Sequence, residues 1–267
     1  MSTNRVLLAL GIGLALLASP RSASADVWDI NSTDDDGSTS NNEIAHGIVQ
    51  VHDLAAQGGV ADQDWIRVQN AAYSSYEATL EGMTGRLGNG SLGTPSLDRM
   101  NYNGNFVLGT ATAFPNAPFA YAQTMRWQNT TAVHEQNHLR VRFASCNVTC
   151  DVNDQYTLRF FETTLAVPRF NNAGGQITVL LIQNPTAYTI SGNAFLWDAG
   201  GGLIGQSPFS LPAHALFTLN TSSVAPGVGG SITVTHDGRF GDLTGKSVAL
   251  EPTTGFSFDS ILVPRVH

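Results

Sequence analysis

His134-Glu135-Gln136-Asn137-His138 sets two imidazoles four residues apart with a glutamate between them. On a helix that spacing brings both rings to one face, where they could share a zinc ion while the glutamate draws a proton from bound water. The flanks do not read as helix. Gln128-Asn129-Thr130-Thr131 are weak helix formers, and beyond the string Leu139, Val141 and Phe143 alternate with Arg140 and Arg142 as in a strand. Val141 and Ala144 stand where the extended form of the zinc motif wants glycine and histidine. Glu162, a third ligand one could invoke, sits in the strand-like Phe160-Phe161-Glu162-Thr163. The expectation is a turn at 134–138 leading into a strand. A zinc-dependent hydrolase using His134, Glu135 and His138 is the alternative.

Other reactive residues offer less. No Gly-x-Ser-x-Gly elbow occurs. His52-Asp53 and His236-Asp237 cannot form relays by themselves, because neighbours on a strand face opposite ways. His236-Asp237-Gly238-Arg239 reads as a turn. Trp65, Tyr73, Tyr76 and Trp127 could form a binding platform, but large aromatics in small sandwiches more often fill the core. Cys146 and Cys150, the only cysteines, are too few for a zinc site and are expected to form a short disulfide that stiffens a turn.

The elements that must position these groups are strands. Charged residues make up 13% of the 267-residue chain, too few for long surface helices, and Gly, Asn, Thr and Ser abound. Residues 1–25 have the three parts of an export leader: Arg5, the apolar run 6–18, and Ala23-Ser24-Ala25, with cleavage expected after Ala25. The run would reach about 20 Å as a helix, short of a ~30 Å hydrocarbon core, so no transmembrane segment is expected in the mature chain. Cleavage would remove two of the 13 basic side chains and none of the 21 acidic ones. Such a surface repels phosphate backbones and anionic lipids, which disfavours nucleic acid as a partner.

Residues 26–42, with Asp34-Asp35-Asp36-Gly37, read as a flexible acidic lead-in. Short apolar runs then recur at 48–51, 64–69, 76–81, 106–108, 120–127, 139–143 and 156–161, with a long glycine-punctuated turn region after Gly82. Alternation over 76–81 suggests a half-buried strand. A second regime begins near residue 165, with runs at 177–182, 190–197, 203–211, 215–219, 231–235, 247–250 and 261–263. The expected fold is all-β: two antiparallel β-sandwiches over 43–164 and 165–267.

Asn42-Glu43-Ile44, His46-Gly47, the 62–68 run Asp-Gln-Asp-Trp-Ile-Arg-Val and the Tyr76 strand up to Gly82 resemble the bacterial pre-peptidase C-terminal (PPC) domain. That resemblance implies a jelly-roll-like sandwich of the kind appended to secreted enzymes. Asn70-Ala71-Ala72-Tyr73 departs from the glycine-rich turn usual before the Tyr strand. By resemblance to collagen-binding members, Asn42, Glu43, Asp62 and Asp64 match calcium ligands, and Asp34 to Asp36 offer further carboxylates. As turn formers, Asp62 and Asp64 would simply open a strand. Residues 165–267, with Leu181-Ile182-Gln183-Asn184-Pro185-Thr186, look like an immunoglobulin-like accessory module of exported proteins. The expected function is that of an exported, non-catalytic binding or accessory module, secreted, periplasmic or on the cell surface. It would engage an extracellular polymer or protein, with no required cofactor beyond possible calcium.

Overall fold

The computed structural model describes residues 28, 35–56, 60–114, 119–146 and 150–265; Ala25, the expected cleavage point, and Asp34 lie outside them. The first nine strands are β1 (Val49–Asp53), β2 (Gln63–Asn70), β3 (Ser74–Glu81), β4 (Ser96–Met100), β5 (Val107–Thr110), β6 (Thr112–Ala113), β7 (Gln123–Asn129), β8 (Glu135–Arg142) and β9 (Gln155–Glu162). They form two antiparallel sheets, ordered β1-β9-β3-β7-β6 and β2-β8-β4-β5. Ile66, Val68, Leu139 and Val141 from one sheet meet Ala78, Leu80, Tyr156 and Leu158 from the other in one core. The period-two alternation on each strand sends these side chains to the shared face.

The remaining strands are β10 (Leu165–Asn171), β11 (Ile177–Gln183), β12 (Ile190–Asp198), β13 (Leu203–Leu211), β14 (Leu216–Asn220), β15 (Gly229–His236), β16 (Thr244–Glu251), β17 (Phe256–Ile261) and β18 (Val263–Pro264). Their sheets are ordered β13-β12-β15-β10-β18 and β14-β11-β16-β17, around a second core that includes Val167, Phe170, Leu180, Ile182, Leu196, Ile232 and Val234. The all-β antiparallel sandwich architecture is therefore as expected. Among the described residues no helix is long and apolar enough to cross a membrane.

Four local expectations need correcting. The 134–138 string is not a turn: β8 begins at Glu135, so four polar residues belong to the strand. β3 is buried at every position rather than half-buried. Its outward Glu77 is covered from the second sandwich, where the Phe240 N–H donates to its carboxylate at 2.9 Å. No strand is expected between the glycine-punctuated stretch and residue 106, yet β4 lies there, its Asp98 held by Arg140 at 2.7 Å. Residues 35–42 of the supposed flexible lead-in are docked: the Trp65 N–H donates to the Asp35 carbonyl (2.7 Å) and the Arg67 N–H to the Asn42 carbonyl (2.8 Å). The lead-in thus uses ladder groups on the free edge of β2, which would otherwise be left unpaired.

The two cores are joined tightly around the β9–β10 link. The Ser75 N–H donates to Thr164 Oγ1, and His236 Nε2 lies 2.9 Å from the Thr163 carbonyl. Tyr73 holds a left-handed φ of 52° in place of a turn glycine. Its ring packs edge-on against Phe195 and Trp197 of β12, at 4.9 and 4.8 Å between centroids. That contact supports a backbone state otherwise unfavourable for a tyrosine.

Candidate metal centre

At one end of the first sandwich, the edge strands β1 and β2 of opposite sheets approach each other and the docked lead-in closes over them. His52 of β1, Asp64 of β2 and Asp35 of the lead-in meet there, each about 0–1% exposed. One ligating atom from each lies within 4.8 Å of the other two. His52 Nδ1 is 3.6 Å from Asp64 Oδ1 and 3.9 Å from Asp35 Oδ2. The ring stacks on Tyr156 (5.4 Å, 14°) and on Trp28 (6.1 Å, 25°). Tyr156 stands directly opposite His52 in the β1–β9 register, and its hydroxyl donates to Asp64 Oδ2 at 2.5 Å.

Surrounding amides orient the imidazole. Gln50 shares the inward face of β1 with His52, two residues away. The Gln50 amide nitrogen donates to Asn42 Oδ1 (2.9 Å) and to the Glu43 carbonyl (3.1 Å). Its oxygen consequently faces His52 Nε2 at 3.2 Å and accepts that proton. In the neutral ring this leaves the Nδ1 lone pair directed at two carboxylates. Such a set favours a positive charge at its centre, either a proton on Nδ1 or a metal ion. Tetrahedral ligands about 2.1 Å from zinc stand roughly 3.4 Å apart; the two His52–carboxylate spacings are near that value, while the three atoms together span up to 4.8 Å.

The structure assembles the expected calcium residues only in part. Asp64 is at the centre, and Asn42 borders it, its amide nitrogen 3.5 Å from Asp35 Oδ2. Glu43 is turned outward instead, towards Arg67 (3.5 Å) and Gln69 (3.3 Å). Asp62 is buried just ahead of β2 and is not one of the three converging groups. No local pattern points to His52 as a ligand: its sequence neighbour is Asp53, whereas its partners come from chain segments 12 and 17 residues away.

The zinc-protease string has a different geometry. On an extended chain His134 and His138 stand roughly 13 Å apart, too far to share an ion. His134 is exposed and its Nε2 contacts Gln69 Oε1 at 3.0 Å. His138 is buried beside Trp65, 6.0 Å between centroids, opposite Arg67 and Met100 in the sheet. Burial, aided by the Arg67 charge and opposed by a backbone contact at Asn101, holds its pKa below the usual histidine value. Glu135 is exposed opposite Asn70, and Glu162 is engaged by Arg265 at 2.9 Å. The hydrolase alternative through His134, Glu135 and His138 therefore lacks the helix it requires.

Cys146 and Cys150 form the expected disulfide. Of the platform aromatics, Trp65, Tyr76 and Trp127 are core residues.

No protein-family model matches the chain, and no curated protein sequence matches it. Among solved structures, a Bacteroides uniformis β-glucuronidase aligns at 9% identity and TM-score 0.21, covering 76% of this chain and 26% of its own. A β-glucuronidase of glycoside hydrolase family 2 aligns at 12% identity and TM-score 0.19, covering 78% and 25%. A family 2 glycosyl hydrolase from Bacteroides cellulosilyticus aligns at 8% identity and TM-score 0.21, covering 79% and 28%. This chain spans about a quarter of the length of these structures. Likeness at such TM-scores says nothing about activity.

Proposed function

We propose that this chain is an exported, non-catalytic β-sandwich protein that serves as a secreted or cell-surface binding or accessory module. Burial at the Asp35–His52–Asp64 cluster is the observation that carries this reading. A catalytic metal keeps an open position for substrate, whereas a closed, buried set does structural work. An ion held by Asp35, His52 and Asp64 would latch the lead-in across the two edge strands. A histidine nitrogen in the set fits a zinc-like ion better than calcium, which takes oxygen ligands. Export rests on the leader read in residues 1–25.

The test is thermal melting of the mature protein with chelator, with Zn²⁺ and with Ca²⁺, alongside an array of extracellular polymers and a peptidase and esterase screen. An ion at 100 times its Kd should add about 2.7 kcal/mol and raise the melting temperature by several degrees. Binding without turnover is expected on the array. Hydrolysis of any substrate that disappears on chelation would overturn the reading.

A further inference from the structure

A cleft of about 580 Å³ runs between the β6–β7 edge of the first sandwich and two loops of the second, the 184–189 loop and the 237–243 loop. A smaller lobe of about 280 Å³ continues it past Arg126, and Thr112, Thr124 and Arg126 line both lobes. Arg126 therefore stands at the waist of one continuous groove.

The guanidinium at that waist stands opposite Glu77 in the β3–β7 register but is not paired with it. In the first sandwich Arg67, Arg86, Arg140, Arg142 and Arg159 each face a carboxylate. Arg99 lies over the Trp127 ring at 5.1 Å. Arg126 makes no ion pair among the described residues. Its guanidinium lies 5.5 Å from the Tyr188 ring centre and contacts the Tyr188 hydroxyl at 3.4 Å. The nearby carboxylates are turned to other donors. Asp242 accepts from the Tyr188 hydroxyl and the Arg239 N–H, Asp237 accepts from the Ser191 N–H, and Glu77 accepts from Thr124 and Phe240. Arg239, over the Phe114 ring at 3.8 Å, adds a second guanidinium to the same wall. A planar guanidinium in a groove lined by threonines suits a carboxylate carried on a hydroxyl-rich ligand.

We propose that this groove binds an acidic saccharide, with Arg126 engaging a uronate carboxylate and threonines of both lobes engaging its ring hydroxyls. This deepens the binding reading above by naming a site and a ligand class. It shares no residue and no ion with the buried cluster at the other site.

The experiment is calorimetric titration of the mature protein with a tetragalacturonate, a neutral glucan tetramer, a sulfated disaccharide and an acidic tetrapeptide, in 50 mM and 300 mM salt. The tetragalacturonate should bind at least tenfold more tightly than the other three, weaken at the higher salt and bind equally with chelator present. Arg126→Gln should weaken it at least tenfold, and Arg169→Gln should leave it unchanged. In the wild type, the Arg126 Nε–H resonance should shift on titration, so that the assignment survives a variant that folds poorly. Absence of binding at 10 mM, a preference for any of the other probes, or an unmoved Arg126 resonance would each overturn the proposal. Loss of binding with chelator would overturn the separation of the two sites while leaving the latch intact.

Discussion

Two regions of the first sandwich carry residue types that can ligate a metal, and they differ in how those residues come together. The 134–138 string has the right types at the right spacing in sequence, yet β8 lays them out along an extended chain. Asp35, His52 and Asp64 have no motif spacing at all, yet three separate segments bring their ligating atoms within 4.8 Å. Spacing becomes geometry only through the secondary structure beneath it. The string would need a helix; the cluster needs only two sheet edges and a strap across them.

The comparison predicts unequal sensitivity to substitution, most of all at the cluster. Asp64→Ala leaves the Tyr156 hydroxyl and the His52 ring without their shared carboxylate in a fully buried place. Removing one member of a buried charged set costs about 3–5 kcal/mol. Urea denaturation should show that loss, together with faster proteolysis within residues 35–42 as the strap lets go.

Next in size is an effect of pH at a histidine outside both regions, His236, which is buried without carboxylate neighbours at hydrogen-bond distance. Its Nε2–H donates to the Thr163 carbonyl and its Nδ1 accepts from the Gly238 N–H, so both ring nitrogens are satisfied in the neutral form. Burial pushes its pKa down to about 4, against 6.5 for the unfolded chain. As pH falls, the unfolded chain takes up the proton first. The stability from neutral His236 is complete above pH 6.5 and is lost between 6.5 and 4, about 3 kcal/mol in all. Denaturation midpoints at pH 7, 5.5 and 4 should follow this course. His236→Gln should flatten the slope in that window, whereas His134→Ala should leave it in place.

The disulfide should matter less. Closing the short loop between Cys146 and Cys150 removes little freedom from the unfolded chain, about 2 kcal/mol on the entropic account. Both sulfurs belong to the first core, so a Cys146→Ala, Cys150→Ala double variant should lower the urea denaturation midpoint by an amount matching that figure.

The same contrast explains what could be read from the sequence. The alternation of 139–143 was legible because Leu139 and Val141 are apolar and their neighbours charged. The first half of β8 was not, because polar residues occupy its inward positions. Asn137 is buried and accepts from Asn70 at 2.7 Å, and Asn70 in turn accepts from the Trp127 indole. A polar ladder inside a core erases the pattern on which strand assignment depends. β4 was hidden differently, by the glycines that precede it. Of the cluster, Asp64 matches a calcium ligand by resemblance and Asp35 lies in an acidic run, but nothing local ties either to His52. Their association is a consequence of register: His52 opposite Tyr156, and Tyr156 reaching Asp64 on the other sheet.

The smallest expected effect is also the sharpest discriminator between the two regions. His134 is exposed and its ring hydrogen-bonds a Gln69 side chain that also reaches Glu43. A surface histidine in that position contributes within about 0.5 kcal/mol. His134→Ala should therefore leave both the denaturation midpoint and any stabilisation by added Zn²⁺ at wild-type values. His52→Gln, by contrast, keeps a polar side chain of similar reach but removes the imidazole between the carboxylates, and the zinc-induced rise in melting temperature should vanish. If instead His134→Ala abolishes the zinc response while His52→Gln preserves it, the ion is bound at the string after all. β8 would then have to yield a helical turn at its start, against the eight-residue register it shares with β2.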